Sequence, residues 1–225
     1  MKTYRVLARL LDYPEAALTE AAGELAATLD RDGVLTPAER QAMAPLLSAL
    51  ATRDLLDLQS DYVDLFDRVR SLSLNLFEHV HGDSRDRGQA MAELVDLYRR
   101  HGLDVTAGEM PDHLPLVLEF LSVLPLGEAR QLLSETAPII AQLAHRLDRR
   151  GSPYAPVLQA ILRLAGTPAL PVEDTASDDD SPEALDRAWE EAAVTFGPES
   201  APTGKPGTDP GCGRAAEWVA RMSRT

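Results

Sequence analysis

The apolar residues of this chain recur at a helical interval along nearly its whole length, and that interval decides which folds are open to it. Leu55, Leu58, Tyr62, Leu65 and Val69 stand three or four positions apart in turn. Such spacing lines one face of a helix, whereas a strand needs a period of two. It predicts a central helix over these residues. Residues 14–30 repeat the pattern with Leu18, Ala22, Leu25 and Leu29, and Gly33 offers a left-handed stop. Thr36-Pro37-Ala38-Glu39 then combines a capping box with proline at the first helical position, where its missing N–H costs nothing. Ser152-Pro153 and Ser181-Pro182 read as similar starts, and Gly102, Gly151 and Gly166 as stops. Asp112 is placed to cap a helix running to about residue 124, while Pro45 and Pro138 should kink or split theirs. The expected fold class is all-α, a compact multi-helix bundle.

One stretch breaks the period. In Ser71-Leu72-Ser73-Leu74-Asn75-Leu76 the leucines alternate strictly, as in a half-buried strand. Nothing else in the chain reads as a partner strand, and a lone strand leaves its backbone groups unpaired. The stretch is therefore expected to be an extended or irregularly helical connector that buries its leucines in a groove.

Charge narrows the function. With 22 Lys+Arg against 36 Asp+Glu the net charge is −14, and the isoelectric point is about 4.7. That balance repels a phosphate backbone, so nucleic acid is excluded as a first partner and a cationic one is favoured. A single cysteine, Cys212, allows neither an intramolecular disulfide nor a cysteine-only zinc site. Lys2, Arg5, Arg9 and Asp12 interrupt the first apolar run, and no stretch approaches the roughly 20 apolar residues of a membrane span. A cytoplasmic chain without direct membrane insertion is expected. The helical domain should cover residues 1–166. Residues 167–196 hold an acidic linker and a short docking helix with Leu185 and Trp189, and residues 197–225 a Gly/Pro-rich, flexible tail.

The densest polar cluster is Glu78-His79-Val80-His81-Gly82-Asp83-Ser84-Arg85-Asp86-Arg87-Gly88-Gln89. Three readings compete for it. On an extended backbone His79 and His81 project to one side and suit a metal-dependent hydrolase. Alternatively, Asp83 or Ser84 caps the next helix and the charges are surface pairs. A third possibility is an exposed protein-binding loop beside an apolar groove, which would give Arg85 and Arg87 a use at a helix start where the macrodipole disfavours them. His101 and His145 read as helix-end contacts. No Ser-His-Asp motif, phosphate loop or dinucleotide fingerprint is present, so enzymatic activity is not expected.

The run from Phe77 through Met91 closely resembles the signature of the respiratory nitrate reductase molybdenum cofactor assembly chaperones, within the all-helical redox-enzyme maturation family. Tyr62-Val63-Asp64-Leu65-Phe66 is similar to that family's Tyr-x-x-Leu-Phe element. Glu109-Met110-Pro111-Asp112-His113-Leu114-Pro115 with Leu118-Glu119-Phe120-Leu121, and Trp189 to Phe196, match further elements in the same order. The resemblance spans residues 4 to about 196; the Asp-rich linker and the tail beyond Phe196 depart from it. It implies a non-catalytic helper that binds the apo catalytic (alpha) subunit of nitrate reductase, chiefly its N-terminal segment, and assists cofactor insertion. Cofactor-delivery proteins are further implied partners, and the molybdenum cofactor belongs to the client, none being bound stably here. A general helical peptide-binding adaptor is the remaining alternative. The client-binding candidates are Tyr62, Leu65, Phe66, Leu76, Phe77, Glu78, His79, His81, Arg85, Arg87, Asp112, His113 and Glu119.

Overall fold

Each early helix begins and ends where a local backbone requirement is met. In the computed structural model, which describes residues 1–81, 86–106 and 108–166, α1 spans Lys2–Leu10 and α2 Ala16–Asp32. Gly33 ends α2 at φ 65°, a left-handed conformation that a Cβ would strain. Helix α3 (Pro37–Thr52) carries the full capping box: Thr36 Oγ1 accepts the Glu39 N–H, and the Thr36 N–H donates to the Glu39 carboxylate. Helix α4 (Leu55–Tyr62) is capped by Asp54, whose carboxylate accepts the Leu56 N–H at 2.9 Å. A one-turn α5 (Glu78–His81), α6 (Asp86–Arg100), α7 (Leu114–Val123), α8 (Leu126–Arg149) and α9 (Ala155–Ala165) follow. The described residues contain no strand, only one isolated antiparallel bridge, and the fold is all-α.

Helices α8 and α9 form the most extensive pairing, with α1 against α7 and α2 against α3 next. Leu133, Ala137, Ile140, Ala144 and Leu147 recur along one face of α8, opposite Val157, Leu158, Ile161 and Leu164 of α9. Tyr4, Leu7, Leu10 and Leu11 seal α1 onto the same core. The buried Thr3 donates both its N–H and its hydroxyl to Asp32, tying the start of α1 to the end of α2.

Several local expectations need correction. Neither Pro45 nor Pro138 splits its helix. Proline deletes one hydrogen bond, and a helix such as α8, with one face buried from Ala129 to Leu147, is held by its packing despite that loss. The helix predicted over Leu55 to Val69 is α only to Tyr62 and continues as a π-helical turn, Val63–Asp67, leaving Val69 outside it. Ser152-Pro153 is a turn before α9: the helix starts later, after Tyr154, and carries Pro156 in its first turn. The Ser181-Pro182 start, the docking helix and the tail lie outside the described residues. No described helix is long and apolar enough to cross a membrane.

Candidate functional site

The leucine alternation at residues 71–76 does the burying that its pattern predicts. Leu72, Leu74 and Leu76 all face the interior. A short 3-10 turn, Arg70–Leu72, opens the segment, and its extended part finds a partner in the loop before α7. Leu76 N–H donates to the Asp112 carbonyl at 3.1 Å, and Leu114 N–H to the Leu74 carbonyl at 2.9 Å. A single bridge, Asn75 with His113, joins them. Sequence reasoning missed this partner because four residues ending in proline carry no strand period of their own.

Asp112 holds that junction together rather than capping α7, which corrects its expected role. Its carboxylate accepts the Phe77 N–H at 2.9 Å from across the loop, while His113 occupies the N-cap of α7 without a side-chain cap bond. Asp112 is fully buried. Burial lifts its carboxyl above the ordinary value, against the opposing pull of the Phe77 N–H and the Arg87 charge. Tyr98 steadies the same loop by donating its hydroxyl to the Pro111 carbonyl at 2.8 Å.

Around this junction the structure gathers several of the candidate residues. Burial tends to raise the Glu78 carboxyl, but hydrogen bonds from Ser73, Arg87 and Asn75 and the Arg87 charge outweigh it, so the group lies below its usual range. Arg87 reaches Glu78 at 3.1 Å from α6, with both side chains largely covered. His79 places Nε2 2.8 Å from the Ser73 carbonyl. A carbonyl only accepts, so Nε2 carries the proton and Nδ1 is the bare nitrogen of the neutral ring. Burial, aided by the Arg146 charge, pushes the His79 pKa down and favours that neutral ring. Leu76 and Phe77 lie beneath, 1% and 2% exposed. His79 and His81 belong to the helical turn α5, so the backbone that carries them is helical and not extended. The extended-backbone argument for a metal-dependent hydrolase therefore fails. Among the described residues no three His, Cys, Asp or Glu side chains cluster as a metal site. Arg85 lies outside the described residues.

Tyr62, Leu65 and Phe66 sit elsewhere, at an open groove of about 570 Å³ between α3, α4 with its π turn, and the turn before α9. Leu46, Leu58, Leu65 and Val69 supply its apolar floor. Asp61, held by Arg53 at 2.7 Å, and Asp64, paired with Arg68 at 2.9 Å, stand at its edge. Tyr62 and Phe66 lie under that floor: their rings are 4.8 Å apart, both meet Tyr154 edge-on, and the Tyr62 hydroxyl donates to the Leu11 carbonyl at 2.9 Å. Burial drives the Tyr154 phenol up to about 12, so it stays a neutral wall. The π turn explains the division of labour. Its Arg68 N–H bonds to the Val63 carbonyl five residues back, which widens the turn and leaves Leu65 half-exposed over the two buried rings.

His113 stands in the junction as the bridge partner of Asn75, and burial pushes its imidazole below the ordinary pKa against the opposing charges of Asp12, Glu109 and Asp67. Glu119 belongs to neither the junction nor the groove and meets Arg9 at 3.4 Å. The candidates thus divide between a buried junction and an open groove. Asp61, Asp64 and Tyr154, absent from the candidates, line the groove. Spacing of Asp57, Asp61 and Asp64 along α4 and its π turn was the signal available for the two carboxylates; Tyr154 had none.

A family model described as the nitrate reductase delta subunit matches residues 15–160, which hold both regions. The chain belongs to that family. Among curated relatives, the nitrate reductase molybdenum cofactor assembly chaperone NarJ of Escherichia coli strain K12 is 44% identical over 217 residues, covering 94% of this chain and 87% of that one. The probable assembly chaperone NarW of the same strain is 40% identical, covering 87% and 84%. A probable NarJ chaperone of Bacillus subtilis strain 168 is 28% identical, covering 71% and 86%. Within the delta-subunit family, this chain is therefore similar to assembly chaperones over nearly its full length.

Proposed function

We propose that this chain is a non-catalytic, cytoplasmic assembly chaperone that binds the apo catalytic subunit of a nitrate reductase and holds it competent for molybdenum cofactor insertion. The observation that carries the reading is the 44% identity to an assembly chaperone over 94% of the chain. The cofactor is cargo of the client, delivered by other proteins. The client's N-terminal segment is taken to be a basic amphipathic helix that lays its apolar face on Leu58, Leu65 and Val69, in the helix-in-groove mode. The groove edge balances Asp61 and Asp64 against Arg53 and Arg150, so local charge adds little net attraction. Steering comes instead from the net charge of −14. Glu78, His79, Arg87, Asp112 and Phe77 shape the junction that fixes the loop before α7.

Co-expression of the tagged chain with the nitrate reductase subunits tests the proposal. The apo catalytic subunit should co-purify, the cofactor-loaded enzyme should not, and deleting the client's N-terminal segment should abolish capture. Equal capture of mature enzyme, or capture that survives the deletion, would overturn it. Leu65→Asp, at a half-exposed floor position, should abolish capture while lowering the melting temperature far less than truncation of a fully buried ring such as Phe77.

A further inference from the structure

On a chain this acidic, one groove carries the opposite sign. It runs between α1 and α2, has a volume of about 390 Å³, and is lined by Lys2, Arg5, Arg9 and Arg31 against only Glu24 and Glu119. Lys2, Arg5 and Arg9 recur at helical intervals and so share one face of α1. Arg9 is occupied by Asp12 and Glu119. Among the described residues, Arg31 hydrogen-bonds the hydroxyl of Thr28, at 3.0 Å. Among the described residues no carboxylate is in ion-pair contact with Lys2, Arg5 or Arg31. Val6 and Leu25 give the groove an apolar floor between these cations.

The chain itself contains a counterpart. Residues 173–183 hold Glu173, Asp174, Asp178, Asp179, Asp180 and Glu183 and no basic residue. The end of α9, from which they depart, is tethered to the loop that follows α2. At the end of α9, Arg163 donates to the Val34 carbonyl at 3.0 Å and pairs with Glu39, and Arg130 donates to the Leu164 carbonyl at 3.1 Å. Val34 is three residues beyond Arg31, which lines the groove. From Gly166 to Glu173 is seven residues, a reach of about 25 Å when extended, so the acidic run can arrive at the α2 end of the groove without disturbing the helices.

We propose that residues 173–183 dock in the α1/α2 groove of the same molecule, their carboxylates pairing with Lys2, Arg5 and Arg31. Tethering makes the encounter intramolecular, so modest pairwise attractions suffice to fill the groove. The docked run shields this cationic face from anionic partners and leaves the α3/α4 groove open. The proposal stands apart from the client reading, because it concerns a different groove and a segment of the chain itself.

Lysine is scarce enough to make the test clean: the sequence contains only Lys2 and Lys205. Treating the full-length protein with a zero-length carbodiimide and mapping the digest by mass spectrometry reports which carboxylate lies against the Lys2 amine. The expected product is an amide from Lys2 to residues 173–183 within a monomer, with a yield independent of protein concentration. Raising salt toward about 1 M, where the screening length is near 3 Å, should lower that yield several-fold. The double reversal Arg5→Glu with Arg31→Glu, at exposed positions, should do the same while keeping Lys2. So should Asp178→Asn with Asp179→Asn and Asp180→Asn, which leaves the helical body untouched if the double reversal proves unstable. The proposal fails if Lys2 couples only to Glu24 or Glu119. It also fails if the acidic run of a second molecule is captured in proportion to concentration, or if neither set of variants changes the yield.

Discussion

Asp112 receives the Phe77 N–H at 2.9 Å in a site closed to solvent, so it carries a desolvated charge to satisfy a desolvated donor. Asp112→Ala removes the acceptor and leaves that N–H buried, a cost of about 1–3 kcal/mol that a denaturant melt should read. Phe77→Ala removes a ring that is 2% exposed, and core truncations of this size cost about 3–5 kcal/mol. The variant should therefore melt much earlier while its client dissociation rate changes little; a large rise in that rate at unchanged stability would place Phe77 on the client surface. Two histidines set the acid response. Burial, with repulsion from Arg146, holds His79 below its ordinary 6.5, and burial does the same for His113. The unfolded chain thus takes up protons first as pH falls. Stability is complete above about 6.5 and declines from there until the folded-state pKa values are passed. Glu78 adds a second decline at lower pH, where its depressed carboxyl protonates. Asp112 acts in the opposite sense, since a raised carboxyl contributes stability at low pH that is lost as pH climbs through its folded value. His79→Gln keeps a donor for the Ser73 carbonyl but cannot titrate, so its melting temperature should fall less than wild type between pH 7 and 5.

At the scale of the element, helix starts are the most local features of this fold. The capping box at Thr36 satisfies two otherwise orphaned donors through contacts three residues apart, and Thr36→Ala should cost about 1 kcal/mol in a thermal or denaturant melt. Arg163 of α9 also pairs with Glu39, so a much larger loss would show that the box positions α9 as well as starting α3. The π turn at Val63–Asp67 is the contrasting case. An inserted residue in a turn leaves the three-and-four spacing of Leu58, Tyr62 and Leu65 intact, so periodicity alone reads straight through it. Its consequence appears only against neighbours: Tyr62 and Phe66 lock onto Tyr154, and Leu65 is left on the groove.

Across the whole molecule, encounter and retention should separate. If the net charge of −14 steers a basic client segment and an apolar floor keeps it, added salt should slow association far more than it speeds dissociation, because exposed charges are screened within about 10 Å at 0.1 M. Stopped-flow or surface-based kinetics with the client peptide would show it, and salt-independent association would remove the steering argument. The linear chain determined the helical class, the Gly33 stop, the Thr36 start and the burial of Leu72, Leu74 and Leu76, because each depends on residues a few positions apart. Family membership was legible as well, in the run from Phe77 to Met91. Other features were decided only by the tertiary structure. Asp112 could cap its own helix or serve a distant backbone, and the choice went to Phe77 because α7 packs beside the 71–76 segment. Whether Pro45 and Pro138 break their helices depended on how much surface the flanking turns bury. The grooves, likewise, are spaces between helices far apart in the chain, and no local spacing records which side chains will meet across them.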